Sequence, residues 1–146
     1  MKQIFFPVLI SCMALLSCIK SDSGDPVLLS LDGTWRMVIV RDNASGSVSF
    51  KPSSIAGDVD ITFASVNTTN GTFTGNTPTN DIWQNDYSTG ANQSLTIPCL
   101  SMTKVAETAW GKEFVDNIRS AQLYSFESGG LLNIRTTNKT LIFQKL

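Results

Sequence analysis

The reactive inventory of this chain is short: three cysteines, no histidine, and carboxylates and lysines scattered singly or in loose pairs over 146 residues. Cys18 closes the run Leu15-Leu16-Ser17-Cys18, and a thiol directly behind a small residue there has the chemistry to carry a thioether-linked lipid. Cys12, after Leu9-Ile10-Ser11, has similar surroundings. Cys99 lies among apolar neighbours in Leu95-Thr-Ile-Pro-Cys-Leu100 and reads as a small buried hydrophobe rather than a reactive thiol. Acyl transfer by serine or cysteine needs a base held against the nucleophile, most often histidine, and the chain has none. Ser101 and Lys104 are the remaining serine–lysine arrangement, at a spacing commonplace on protein surfaces. Zinc sites of the Cys/His kind fail on ligand number.

The carboxylates pair as Asp58/Asp60, Asp81/Asp86 and Glu107/Glu113. Asp58 and Asp60 share the outer face of one strand, where solvation is a commoner role than acid/base work. Asp81, Asp86 and Asn80 offer oxygen ligands of the kind Ca²⁺ takes, but without the alternating Asp spacing of a calcium loop. The expectation is a protein that is not an enzyme, with no cofactor and no metal. The best candidate recognition surface is the Asn/Thr/Trp/Tyr mixture of Asn76, Asn80, Trp83, Gln84, Asn85 and Tyr87, which offers stacking faces and amide groups suited to sugars or peptides. The competing reading is that Trp83 and Tyr87, four apart, cover the core.

The segment that positions Cys18 is itself informative. One cation, Lys2, precedes an apolar run from Ile4 to Leu16, too short for the ~20 residues of a membrane-spanning helix but of signal-peptide length. With the cysteine behind it, the run resembles the lipobox of bacterial lipoproteins, in which cleavage before the cysteine leaves it acylated at residue one. Cys12 would leave only Ile4–Ile10 as apolar core, at the short limit of the ~7–15 residues such a region needs, so Cys18 is preferred. Each buried methylene adds about 0.8 kcal/mol, so more than one acyl chain (palmitate-type) holds a protein on a membrane. The expected organisation is a signal peptide over 1–17, the lipidated cysteine and a flexible tether over 18–30, and one domain over 31–146. The tether lacks Asp at Ile19, and its Lys20, Asp22 and Asp25 loosely resemble the export signals of Bacteroidetes surface lipoproteins. The expected location is the bacterial cell envelope, on the outer membrane.

The formal net charge is −1, and −2 once Lys2 leaves with the signal. No basic run exists, so a nucleic-acid partner has no electrostatic basis. The expected partners are the membrane, through the anchor, and another envelope protein or a glycan. Cys99 is the one cysteine left in the domain, which rules out an internal disulfide.

Period-two patterning dominates the domain. Thr34–Arg41 reads as a strand with Trp35, Met37 and Ile39 on one face; Asp58–Phe63 alternates cleanly with Val59, Ile61 and Phe63 inward. Further strands are expected at Val48–Lys51, Gly71–Gly75, Ile82–Ser88, Ser94–Ile97, Leu123–Glu127, Leu131–Thr136 and Thr140–Lys145. From Thr108 to about 119 the period changes: Trp110, Phe114, Val115 and Ile118 fall on one helical face, with Thr108 as N-cap and Gly111 weakening the helix by ~1 kcal/mol. The fold class follows as α+β, mostly β: a single domain with an antiparallel, strongly curled sheet or partial barrel packed on one late helix. The Asn-x-Ser/Thr sequons at Asn43, Asn67, Asn70, Asn92 and Asn138 are accounted for by turn composition.

Leu31-Asp-Gly-Thr-Trp35, Ile61-Thr-Phe63, Gly71-Thr-Phe-Thr-Gly-Asn76, Asn80, Tyr87-Ser88, Leu95-Thr-Ile97, Met102-Thr-Lys104, Glu113-Phe114, Tyr124, Leu132 and Leu141-Ile-Phe143 resemble, in this order, the META (heat-shock lipoprotein-like) domain. The resemblance spans 31–146 and implies a compact β-rich fold with one helix, in envelope lipoproteins linked to stress or drug tolerance, with no shared catalytic residue. Many members carry two cysteines that are missing here, where Asn76 follows Gly75 directly and Glu107 follows Ala106. The opening Leu-Asp-Gly-Thr-Trp is also similar to lipocalin-like bacterial lipoproteins, which implies Trp35 packed across a barrel floor and, as an alternative function, a carrier of a small apolar ligand.

Overall fold

A computed structural model describes residues 30–146; the signal peptide, Cys12, Cys18 and nearly all of the tether lie outside the described residues. The chain forms β1 (Gly33–Asp42), β2 (Val48–Phe50), β3 (Asp60–Ser65), β4 (Asn70–Asn76), β5 (Asp81–Gly90), β6 (Ser94–Thr96), α1 (Ala109–Ile118), β7 (Ala121–Phe126), β8 (Leu132–Thr136) and β9 (Lys139–Lys145). Every neighbouring pair is antiparallel, and the sheet follows chain order from β3 to β9. β9 then pairs back onto β1, from Trp35 opposite Lys145 to Asp42 opposite Lys139. The curled sheet therefore closes into an eight-stranded barrel, which removes its free edges. β2 is a short extra strand that pairs with the second half of β1, while β3 pairs with the first half.

The inward face of β1 differs from simple alternation. Met37 faces Phe143 and Ile39 faces Ile142, so Val38 is an extra residue without a partner. This β-bulge shifts the side-chain parity: Trp35, Met37 and Val40 join the core, and Ile39 does not. The core combines these with Ile61, Phe63, Phe73, Leu95, Leu132, Ile134, Leu141 and Phe143 from the other strands. Burying each such side chain stabilises the fold by about 1.5–3 kcal/mol.

The antiparallel order sorts the connections between two ends. The β3–β4, β5–β6 and β7–β8 turns lie at the end where Ser30 enters and Leu146 leaves. The β4–β5 loop, the β8–β9 turn and the long segment carrying α1 lie at the opposite end. There α1 turns Trp110, Phe114 and Ile118 into the core, with Phe114 edge-on to Phe143 at 6.5 Å between centroids. The Thr108 hydroxyl caps α1 by accepting from Gly111 N at 3.1 Å. At the entry end, Trp35 Nε1 donates to Leu31 O at 2.6 Å, the Trp35 ring packs on Phe126, and Leu31 folds over them into the core.

Cys99 is exposed, contrary to the expectation of a buried hydrophobe. β6 ends at Thr96, and Pro98, which has no N–H to donate, stops the ladder. Leu95 and Ile97 remain in the core while the chain leaves the barrel wall at Cys99.

Candidate functional site

The six residues singled out around β5 do not form one surface. Trp83 and Gln84 are exposed, Asn76 is half-buried, and Asn80, Asn85 and Tyr87 are buried. A second β-bulge is responsible. Gly75 faces Ile82 but Phe73 faces Asn85, so Trp83 and Gln84 together oppose Thr74 and both turn outward. Asn85 is thereby rotated inward. Its Nδ2 donates to Trp83 O at 2.6 Å and to Ser101 O at 3.2 Å, and its Oδ1 accepts from Ser101 N. It thus pins Ser101 and Met102 alongside the first half of β5, where Ile82 and Met102 form a bridge. Ser101 enters the structure through its backbone, and both it and Lys104 are exposed.

Asn80, itself buried, is the hub of a second, part-buried network. Its Oδ1 accepts from Val105 N at 2.7 Å and from the Thr103 hydroxyl at 3.0 Å. Its Nδ2 donates to Val105 O at 3.0 Å and to Glu107 Oε2 at 2.9 Å. Glu107 also accepts from the hydroxyls of Thr77 and Thr79 and from Thr108 N. Gly111, which the helical pattern alone counts as a weakness, has a local reason: a Cβ there would collide with the Glu107 carboxyl group. The network therefore ties the β4–β5 loop to the start of α1. Because Asn80 Oδ1 is used internally, Asn80, Asp81 and Asp86 do not converge as an oxygen cage; Asp81 and Asp86 are both exposed.

Burial of Glu107 on its own would raise its pKa. The hydrogen bonds from Thr77, Asn80, Thr79 and Thr108 outweigh that and hold it below the ordinary 4.5. A depressed carboxylate pKa contributes stability that is present above the unfolded value and is lost as pH falls through the native one. Wild-type protein is therefore expected to lose thermal stability relative to Glu107→Gln between about pH 6 and pH 3, so that their melting temperatures converge on acidification. A gap that stays constant with pH would show that Glu107 does not titrate with folding.

Asp58 and Asp60 are neither free nor merely solvated. Arg36 makes a two-pronged contact with Asp60, Nε and one terminal nitrogen each at 2.8 Å, and reaches Asp58 at 3.2 Å. Lys51 binds Asp58 at 2.6 Å and Gly57 O at 2.9 Å. Two cations balance two anions and fasten the 51–59 segment to the barrel wall.

A different region has the character of a recognition site. At the entry end, a cleft of about 200 Å³ is lined by Ser30, Leu31, Ser65, Asn67, Thr68, Asn70, Tyr87, Thr89 and Tyr124. Its floor is held by hydrogen bonds. Asp32 accepts from both Ser65 N and the Ser65 hydroxyl at 2.7 Å, and the Ser65 hydroxyl lies 3.3 Å from that of Tyr87. The Tyr87 ring stands edge-on to Phe63 at 5.1 Å. The Ser65 hydroxyl holds Asp32 below its usual pKa, and burial pushes that of Tyr87 up, so one stays ionised and the other neutral around pH 7. The β3–β4 turn is locked by Asn67 Oδ1, which accepts from Thr69 N and Asn70 N at 2.9 Å. By contrast, Asn67 Nδ2, Asn70 Oδ1 and the hydroxyls of Thr68, Thr89 and Tyr124 make no hydrogen bond among the described residues. Tyr124 is half-buried, edge-on to Phe126.

A smaller groove of about 130 Å³ lies between β2 and α1, lined by Ser49, Phe50, Pro52, Ala109, Trp110 and Glu113. Trp110 Nε1 is buried there without a hydrogen-bond partner among the described residues.

No protein-family model matches the chain, and no curated protein matches its sequence. A solved structure does share the fold: the NMR structure of a protein from Burkholderia xenovorans superposes with a TM-score of 0.57 over 82% of this chain and 84% of that one, at 16% identity. The class defined by the fold is a closed antiparallel β-barrel with one helix packed at one end.

Proposed function

We propose that this chain is a lipid-anchored lipoprotein of the bacterial cell envelope, held on the outer membrane through Cys18, whose META-like barrel is a non-catalytic binding module for another envelope protein or a glycan. The sequence supports the anchor through its apolar leader and the Leu-Leu-Ser-Cys18 motif. The observation that carries the binding role is the contrast between filled interior and open end. Trp35, Phe63, Trp110, Phe114 and Phe143, each no more than 2% exposed, occupy one continuous core, so recognition falls to the outside of the barrel. The polar networks at Asn80 and Asn85 are consumed by their own chain, whereas the entry-end cleft holds donors and acceptors that make no hydrogen bond among the described residues.

The same core argues against the alternative of a lipocalin-like carrier, which needs an interior cavity of about 300 Å³ or more. The anchor is tested by fractionating cells that make the wild-type chain, Cys18→Ser or Cys12→Ser. Wild type and Cys12→Ser are expected in the membrane fraction, and Cys18→Ser in the soluble fraction or as unprocessed precursor. Unchanged membrane partitioning of Cys18→Ser would place the anchor elsewhere.

A further inference from the structure

We propose that the entry-end cleft takes a single neutral, hydroxyl-rich sugar residue, such as the terminal unit of an envelope glycan. This rests on the binding-module reading above and names its ligand class. Three observations carry it. None of the lining residues is charged; of the charged groups nearby, Asp32 is engaged by Ser65, and Lys145 donates to Asp32 O at 3.1 Å and sits over the Trp35 ring, so the lining itself offers neither an anion nor a cation a counter-charge. The groups unbonded among the described residues are hydroxyls and amide ends, a mixed set of donors and acceptors that suits sugar hydroxyls, each of which both donates and accepts. Tyr124 adds an aromatic wall beside them. The volume, about 200 Å³, is below the range of pockets for larger ligands and suits one ring. An extended peptide would instead look for an open strand edge, and barrel closure leaves none beside the cleft.

The test uses the full chain in detergent micelles on an array of neutral, sialylated, uronic-acid and phosphorylated glycans, followed by calorimetry with the best free sugar. Binding is expected to concentrate on neutral sugars. Tyr124→Ala should weaken it about tenfold or more, Thr89→Val should also weaken it, and Lys112→Ala, on the exposed side of α1 at the opposite end, should leave it unchanged. Thr89→Val, nearly isosteric, keeps the test decisive should Tyr124→Ala fail to fold. Absence of binding to any glycan, preference for charged glycans, or full affinity in folded Tyr124→Ala and Thr89→Val would each overturn the sugar assignment. Recovery of the bound sugar shortened or oxidised would instead overturn the non-catalytic reading.

Discussion

Replacing Asn80 by alanine is expected to lower the unfolding free energy by about 2–3 kcal/mol, one of the heavier losses open to a single polar residue in this domain. Asn80 is only 3% exposed, and its side chain engages four groups at once: Val105 N and the Thr103 hydroxyl through Oδ1, and Val105 O and Glu107 through the two N–H of Nδ2. Alanine leaves Val105 N without a partner and removes one of the donors that hold the Glu107 carboxylate. Leaving a buried donor or acceptor unsatisfied costs about 1–3 kcal/mol, more beside a charge. The loss should appear in urea titrations as a lower midpoint with an unchanged slope. A loss below about 1 kcal/mol would mean that water replaces the amide without penalty and that the β4–β5 loop is not latched to α1.

The second large effect concerns backbone spacing. Gly75 faces Ile61 on one side and Ile82 on the other. A Cβ at this position would overlap the Asp60 carbonyl oxygen and stand 2.9 Å from Ile61 Cα and 3.0 Å from Asp60 C. These are backbone atoms, so no rotamer change relieves the collision, and the β3–β4 ladder must part. Gly75→Ala is expected to cost about 3 kcal/mol or more, with Gly75→Val abolishing folding. Gly129 is the comparison: it has a φ of +96°, but a methyl group added there would meet nothing within 4 Å, so Gly129→Ala should cost only about 1 kcal/mol. Equal stabilities for the two alanine variants would contradict the strand spacing at Gly75.

Much of the local structure is legible in the sequence because it depends on neighbours along the chain. The alternation through Phe63 and the helical face of Trp110, Phe114 and Ile118 each need only a few residues of context, and Thr108 as N-cap follows from the same local pattern. Closure is not legible, because nothing in Thr140–Lys145 says that it pairs with a strand about a hundred residues earlier. The bulges at Val38 and at Trp83–Gln84 are set by those pairings, and each inverts the facing of residues that period two assigns. Simple alternation therefore puts Ile39 inside and Val40 outside, and leaves Asn85 on a surface, each the reverse of what the closed barrel imposes.

The cleft escapes a sequence reading for a related reason. Ser65, Asn67 and Asn70 come from one turn, Thr89 from the end of β5 and Tyr124 from β7, and only the closed barrel brings them together. The available signal is the Asn/Thr richness after Ser65. Turn chemistry explains Asn67 Oδ1, which locks the turn, but not the Nδ2 of the same residue or the hydroxyl of Thr68, both unbonded among the described residues. Cys99 shows the converse: its apolar neighbours Leu95 and Ile97 do enter the core, and Pro98 stops it from following them.

Whether this is an acylated envelope protein built on a filled barrel is decided by one number, the native intact mass of the chain purified from the envelope that makes it. The expected mass is that of residues 18–146 plus fatty-acyl groups at Cys18, with no apolar molecule retained. An unacylated chain, or a stoichiometric hydrophobic ligand held by the folded domain, would contradict the proposal.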